Sequence, residues 1–225
     1  MTPPADTEHR LREAVVATAR EMNALGINRG KSGNVSARWR DGDVESYLIT
    51  PSAMPYASIA PADIVAMPLD GVEDAARGTR RPSSEWRFHR DIYRARGDAS
   101  AIVHTHAPFA TSLACLRRGI PAFHYMVAVA GGDDIRCAPY ATFGTQALSD
   151  HAVAALEGRR ACLLANHGMI TIGASLAAAL ALAVEVETLA EMYWRAQQLG
   201  EPVLLSTAEM EVVVAKFRTY GQPET

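Results

Sequence analysis

The sequence predicts one α/β domain over residues 1–225, with a mostly antiparallel central sheet covered by helices. Three observations point there. Helix-period and strand-like segments mix along the chain with no regular βαβ alternation, which argues against an all-parallel sheet. Asp-Gly pairs at Asp41-Gly42 and Asp70-Gly71 follow short strand candidates in the first third, and such pairs turn a chain sharply. No internal repeat or low-complexity tract divides the 225 residues, whose 48% apolar and 21% charged content is that of an ordinary globular core and surface.

Residues 8–25 place Leu11, Val15, Thr18, Met22 and Leu25 on one helical face, and Gly26 supplies the stop. The loop NRGKSGN leads to a strand candidate over 35–39, a return strand over 47–50, the loop PSAMPY and a third short strand over 64–68. Residues 73–82 are charged and small, as an exposed connection is. Ser83 and Ser84 offer N-caps for a helix through EWRFHRDIYRAR, closed by Gly97-Asp98. Residues 100–106 read as a buried strand. Pro108 suits the first turn of a helix reaching about Arg118, before Gly119. An apolar run over 122–129 breaks at Gly131-Gly132, and 149–156 is helical. Strands over 161–165 and 169–172 flank the tight turn Asn166-His167-Gly168. Residues 175–199 form a long Ala-rich helix, apolar all round near its start and so expected to be buried there on most sides. Ser206 and Glu209 are spaced as a capping box for a last helix through Lys216 or Phe217.

The totals exclude several functions. A net charge of −3 provides no basic field for nucleic acid. The longest apolar stretch, 176–184, ends at Glu185, short of a membrane span, and the segment MTPPADTEHR has no apolar signal core. Cys115, Cys137 and Cys162 are odd in number and lack finger spacing, so reduced, buried thiols in a cytoplasmic protein are expected.

The chemistry concentrates in IVHTHAPF (102–109). Residues i and i+2 of a strand share a face, so His104 and His106 point the same way, close enough to hold one ion; two hydrogen-bonded core histidines are the alternative. A catalytic zinc site takes three protein ligands and leaves one place open. His167, at a turn with Gly168 behind it, is the best third ligand, with His124 next. Glu85 stands straight after two serines, in the first turn of its helix, as a candidate proton carrier or as a simple N-terminal charge. Three small-residue loops, 30–34 (with Lys31), 50–53 and Ser83-Ser84, have the composition of anion cradles.

GNVSAR (33–38), LITPSAMPY (48–56), PSSEWRFH (82–89), IVHTHA (102–107), IPAFHYMVAVAGG (120–132), CAPYATFGT (137–145), LLANHGMI (163–170), EVETLA (185–190) and KFRTYG (216–221) run in order over almost the whole chain. Together they resemble the class II aldolases of the aldolase/adducin superfamily, most nearly the L-fuculose-1-phosphate aldolases. The resemblance implies Zn²⁺ held by His104, His106 and His167, with Glu85 near enough to be a fourth ligand. It implies a substrate phosphate at Gly33, Asn34, Ser52, Ser83 and Ser84, and catalytic roles for Glu85, Tyr125 and Tyr220, the two tyrosines reaching the site from a neighbouring subunit of a cyclic homotetramer. Other divalent transition metals suit three histidines as well. The implied reaction is reversible cleavage of a ketose 1-phosphate to dihydroxyacetone phosphate and a short aldehyde. L-Fuculose 1-phosphate is the nearest substrate on this resemblance, with 5-deoxypentulose and methylthioribulose 1-phosphates as the alternatives.

The chain departs from the closest pattern at Lys31 and Ser32, at Ala53 in place of a loop glycine, at Asn166, and in a tail ending soon after Tyr220. Sugar-phosphate epimerases and decarboxylases of the superfamily share the zinc triad, but PSSEWRFH and the HYM segment favour aldolase. A non-enzymatic adducin-like domain would be expected to have eroded ligands, whereas all three histidines and Glu85 are present.

Overall fold

Among the described residues seven strands build one sheet, and the strand that carries His104 lies at its centre. The computed structural model describes residues 4–71 and 76–217. The strands are β1 (Asn34–Asp41), β2 (Val44–Ile49), β3 (Val65–Pro68), β4 (Ala101–Thr105), β5 (Arg136–Ala138), β6 (Ala161–Leu164) and β7 (Gly168–Gly173), in the order β3-β2-β1-β4-β7-β6-β5. Every pairing is antiparallel except β5 with β6. The sheet is therefore the mostly antiparallel one expected. β5 was not anticipated: three residues are too few for an alternating pattern to register.

Helices cover both faces. On one side α1 (Pro4–Ala24), α3 (Pro108–Cys115), α5 (Leu176–Leu199) and α6 (Thr207–Phe217) share one core with Val35, Ala37, Ala101 and Val103, through residues such as Val15, Met22, Leu113, Leu180, Val186 and Met210. On the other side α2 (Trp86–Ala95) and α4 (Gln146–Ala155) pack Phe88, Ile92, Tyr93, Leu148 and Ala152 against Ile102, Cys162 and Ile170. Alternate residues of β4 thus divide between two cores, and His104 takes the α2 side with Ile102.

Local signals set most boundaries. Ser206 and Glu209 form the expected reciprocal cap, with the Ser206 N–H donating to Glu209 Oε2 at 2.7 Å and the Glu209 N–H to Ser206 Oγ at 3.3 Å. Ser175 caps α5. Thr145 caps α4, which starts three residues before the expected 149. The third helix stops at Cys115, because Arg117 turns left-handed at φ 55. α5 is less enclosed at its start than expected: Ala177, Ala178 and Ala181 are exposed, and a methyl group costs little there. Cys115 is also exposed; Cys137 is half-buried and Cys162 buried, and all three are free thiols.

Candidate active site

The glycine-rich loop and the end of β4 meet around Asn28. Its side-chain N–H groups donate to Asn23 Oδ1 at 2.8 Å and to the Ser32 carbonyl at 2.7 Å, and its Oδ1 accepts from the His106 N–H at 3.3 Å. Thr105 Oγ1 adds a hydrogen bond to the Ile27 carbonyl. This ties the loop onto the last residues of β4. Gly33 makes the contact possible. It has φ +77, and a Cβ there would lie 2.6 Å from the His104 carbonyl oxygen. Gly168 is needed likewise: its Cβ would stand 2.6 Å from the Thr105 carbonyl and 2.9 Å from the His106 ring.

The histidines gather, although β4, expected over 100–106, ends at Thr105 and leaves His106 one residue beyond it. His104 and His106 Nε2 atoms are 3.2 Å apart, and ligand atoms of His104, His106 and His167 all lie within 4.8 Å of one another. His124 is not among them; its Nδ1 accepts from the Met126 N–H and caps the short 3-10 helix Tyr125–Ala130. His104 is fully buried, and its Nδ1 lies 2.9 Å from the Met169 carbonyl. A carbonyl only accepts, so Nδ1 carries the proton and Nε2 presents its lone pair to the cluster.

Glu85 completes the group. It sits at the N-cap of α2, one residue earlier than expected, and makes no side-chain cap; the serines do not cap the helix either. Instead Ser83 Oγ accepts the Glu85 N–H at 3.3 Å, holding the carboxylate toward the histidines. Glu85 Oε2 is 3.2 Å from His104 Nε2, and Oε1 is 3.1 Å from His167 Nε2. Among the described residues no group hydrogen-bonds the buried Oε1, whereas Oε2 accepts from the Asn34 amide at 2.9 Å. Burial raises the Glu85 carboxyl, and the adjacent His104 and His167, in their protonated forms, outweigh it and hold it well below the usual carboxylate range.

The three small-residue loops do converge. They line one cavity of about 290 Å³ with Glu85, His106 and His167, and Gly33, Asn34, Ser52, Ser83 and Ser84 all belong to its wall. Two of the loops are paired: Ser52 N–H donates to the Arg81 carbonyl at 3.0 Å, and Ser83 N–H to the Thr50 carbonyl at 3.1 Å. Lys31, exposed at the rim, brings a positive charge to this end. Both amide hydrogens of Asn34 are committed, one to Ser83 Oγ at 2.9 Å and one to Glu85. Its side chain therefore anchors the carboxylate rather than offering a donor to the cavity.

Ala53 adopts φ 59 where the resemblance leads one to expect glycine. Tyr140 and Phe143 line the cavity as exposed aromatics, and nothing in CAPYATFGT distinguished them from core residues. Tyr125 is absent from the wall. It is 50% exposed and lies nearly parallel to Phe217, with centroids 6.5 Å apart. Tyr220 falls outside the described residues.

The family model for the class II aldolase and adducin N-terminal domain matches residues 13–194. The chain belongs to that family. It is 58% identical over 211 residues to a 5-methylthioribulose-1-phosphate/5-deoxyribulose-1-phosphate aldolase of Rhodospirillum rubrum, covering 94% of this chain and 92% of that one. It is 46% identical over 214 residues to the L-fuculose phosphate aldolase of Escherichia coli K12, covering 95% and 96%. A solved L-fuculose 1-phosphate aldolase superposes with a TM-score of 0.88 at 41% identity, covering 93% of this chain and 96% of that one. These relatives are aldolases, and the chain is an aldehyde lyase of the same class.

Proposed function

We propose that the protein is a metal-dependent aldolase that cleaves a ketose 1-phosphate reversibly to dihydroxyacetone phosphate and a short aldehyde. The carrying observation is Glu85, placed against three convergent histidines beside a cavity that the small-residue loops also line.

The donor set fits a divalent transition metal. Three imidazoles converge without opposing N–H groups at His104, and a buried carboxylate oxygen stands beside them without a hydrogen bond among the described residues. His104, His106 and His167 would hold the ion, zinc on our reading, with Glu85 close enough to join them. When bound, it supplies Lewis-acid stabilisation of negative charge developing on the substrate oxygens.

The protein's own groups do the rest. Ser52, Ser83, Ser84 and the Gly33 backbone, with Lys31 at the rim, receive the phosphate. In the condensation direction Glu85 Oε1 takes the proton from the carbon next to the ketone, while Oε2 stays pinned by Asn34. The new carbon–carbon bond forms to the aldehyde carbon, and a neutral phenol protonates the aldehyde oxygen; cleavage reverses each transfer. Tyr125 is exposed on one protomer and would serve a neighbour's site, with Tyr220, in a homotetramer. The free thiols fit a cytoplasmic enzyme.

Two substrate readings are carried. The Rhodospirillum rubrum relative favours a 5-deoxypentulose or methylthioribulose 1-phosphate, and the E. coli relative and solved structure favour L-fuculose 1-phosphate. Cleavage assays on all three, with product identification, decide between them by kcat/KM. Glu85→Gln should retain bound metal and lose carbon–carbon cleavage by roughly a hundredfold to ten-thousandfold, the usual range for general acid–base catalysis. Wild-type turnover in that variant would remove Glu85 from the chemistry.

A further inference from the structure

Behind the Asn34 amide a row of buried polar groups runs away from the cavity, between β1 and α2. Asn34 Oδ1 meets His89 Nε2, His89 Nδ1 lies 2.7 Å from Ser36 Oγ, and Ser36 Oγ lies 2.8 Å from the Tyr93 hydroxyl. All four residues are buried, His89 and Ser36 completely. The row follows from two periodicities: Asn34 and Ser36 are alternate residues of β1, and His89 and Tyr93 are one helical turn apart on α2.

The protons in this row have one arrangement. An ionised carboxylate only accepts, so the NH₂ of Asn34 faces Glu85 and its oxygen faces His89. That oxygen needs a donor, so His89 carries its proton on Nε2. Nδ1 is then an acceptor and takes the Ser36 O–H, and Ser36 in turn accepts the Tyr93 O–H. Each donor points toward Glu85. Burial holds the His89 imidazole neutral, down at about 3, and pushes the Tyr93 phenol up, so both keep these roles at neutral pH.

We propose that His89 is a positioning residue for Glu85: held as the Nε2–H tautomer by Ser36 and Tyr93, it locks the Asn34 amide, so that Oε2 of the carboxylate is fixed and Oε1 is left to move the proton. This rests on the reading of Glu85 as proton carrier. A histidine that merely fills the core would stabilise the fold without caring which nitrogen bears hydrogen. Without His89 the Asn34 amide is free to turn its oxygen toward Glu85, where it repels the carboxylate.

The test has a spectroscopic arm and a kinetic arm, both on the metal-loaded enzyme. Long-range ¹H–¹⁵N correlations on histidine-labelled protein, with His89→Gln to assign the signal, should give a neutral Nε2–H ring from about pH 6 to about pH 8, the range in which an ordinary histidine titrates. An Nδ1–H or charged ring overturns the proposal, whatever the substrate proves to be.

In the kinetic arm, His89→Gln places an amide N–H where Nε2 stood and should keep kcat within about threefold, while His89→Leu should lower kcat more than about tenfold with KM nearly unchanged. Equal losses in both variants, or a loss confined to KM, overturn it. If His89→Leu does not fold, Tyr93→Phe takes its place and should admit the other tautomer and lower kcat; a wild-type ring signal and wild-type kcat in that variant overturn the proposal. Absence of aldol cleavage by the wild-type enzyme on every ketose 1-phosphate would defeat the functional reading instead, and would leave the ring signal to stand or fall separately.

Discussion

Gly33→Ala probes how closely the glycine-rich loop must approach β4. Two costs are separable. At φ +77 an alanine occupies the left-handed region, which costs roughly 1–2 kcal/mol, partly offset by about 0.4–1 kcal/mol because alanine has less freedom than glycine to lose from the unfolded chain. The new Cβ would also stand 2.6 Å from the His104 carbonyl oxygen, 3.0 Å from Asn28 Oδ1 and 3.3 Å from Thr105 Cα. Two of these are backbone atoms of the strand that carries the histidines, so relief requires the loop or β4 to shift, at about 1–3 kcal/mol. The expected loss is about 1–5 kcal/mol, read from urea midpoints.

Gly30→Ala is the control: φ is +69 there, with nothing within 4 Å of the added carbon, so it should show the backbone cost alone, about 1 kcal/mol. Because β4 sets both His104 and His106, cleavage in Gly33→Ala should fall by tenfold or more, in line with about a hundredfold for a displacement near 1 Å. A loss below about 0.5 kcal/mol, or one no larger than that of Gly30→Ala, refutes the collision.

Other consequences are independent of that loop. His89 is brought from its ordinary 6.5 to about 3, chiefly by burial and next by the neighbouring His104 ring, with Glu85 opposing. On acidification the unfolded chain takes the proton first. The stability associated with neutral His89 is thus complete above about pH 6.5 and drains away toward pH 3, at up to about 1.4 kcal/mol per pH unit. Denaturation midpoints should fall more steeply with acid in the wild type than in His89→Gln, and equal slopes would discount the burial. Chelation followed by dialysis should abolish cleavage and lower the thermal midpoint, with both restored by divalent metal; full activity in demonstrably metal-free protein would end the metal reading. Ala53→Gly relieves a left-handed alanine and should stabilise the fold by up to about 1 kcal/mol, whereas a net loss would mean that the Ala53 methyl group makes a compensating contact.

Much of this molecule is legible along the chain because the signals are local. The Ser206–Glu209 cap, the Ser175 start of α5 and the pairing of His104 with His106 depend on residues within four positions of one another, which is the reach of capping and of strand alternation. Where such signals were weak the elements moved: β5 was too short to be seen, α2 began after Glu85 rather than before it, and Cys115 proved exposed.

By itself the sequence determined the candidate chemistry, since imidazoles two apart on a strand, a carboxylate among serines and small-residue loops define what the groups are able to do, and the ordered motifs identified the family. Only the tertiary structure decided what each group does to its neighbours. It brought His167 rather than His124 to the pair, committed both Asn34 amide hydrogens to Ser83 and Glu85, and set His89, Ser36 and Tyr93 in line behind them. Those contacts join residues 49 to 65 positions apart in hydrogen bonds such as Asn34–Ser83 and His104–Met169. Their direction follows from donors and acceptors that must all be satisfied together inside a dry core, a condition that no stretch of sequence expresses alone.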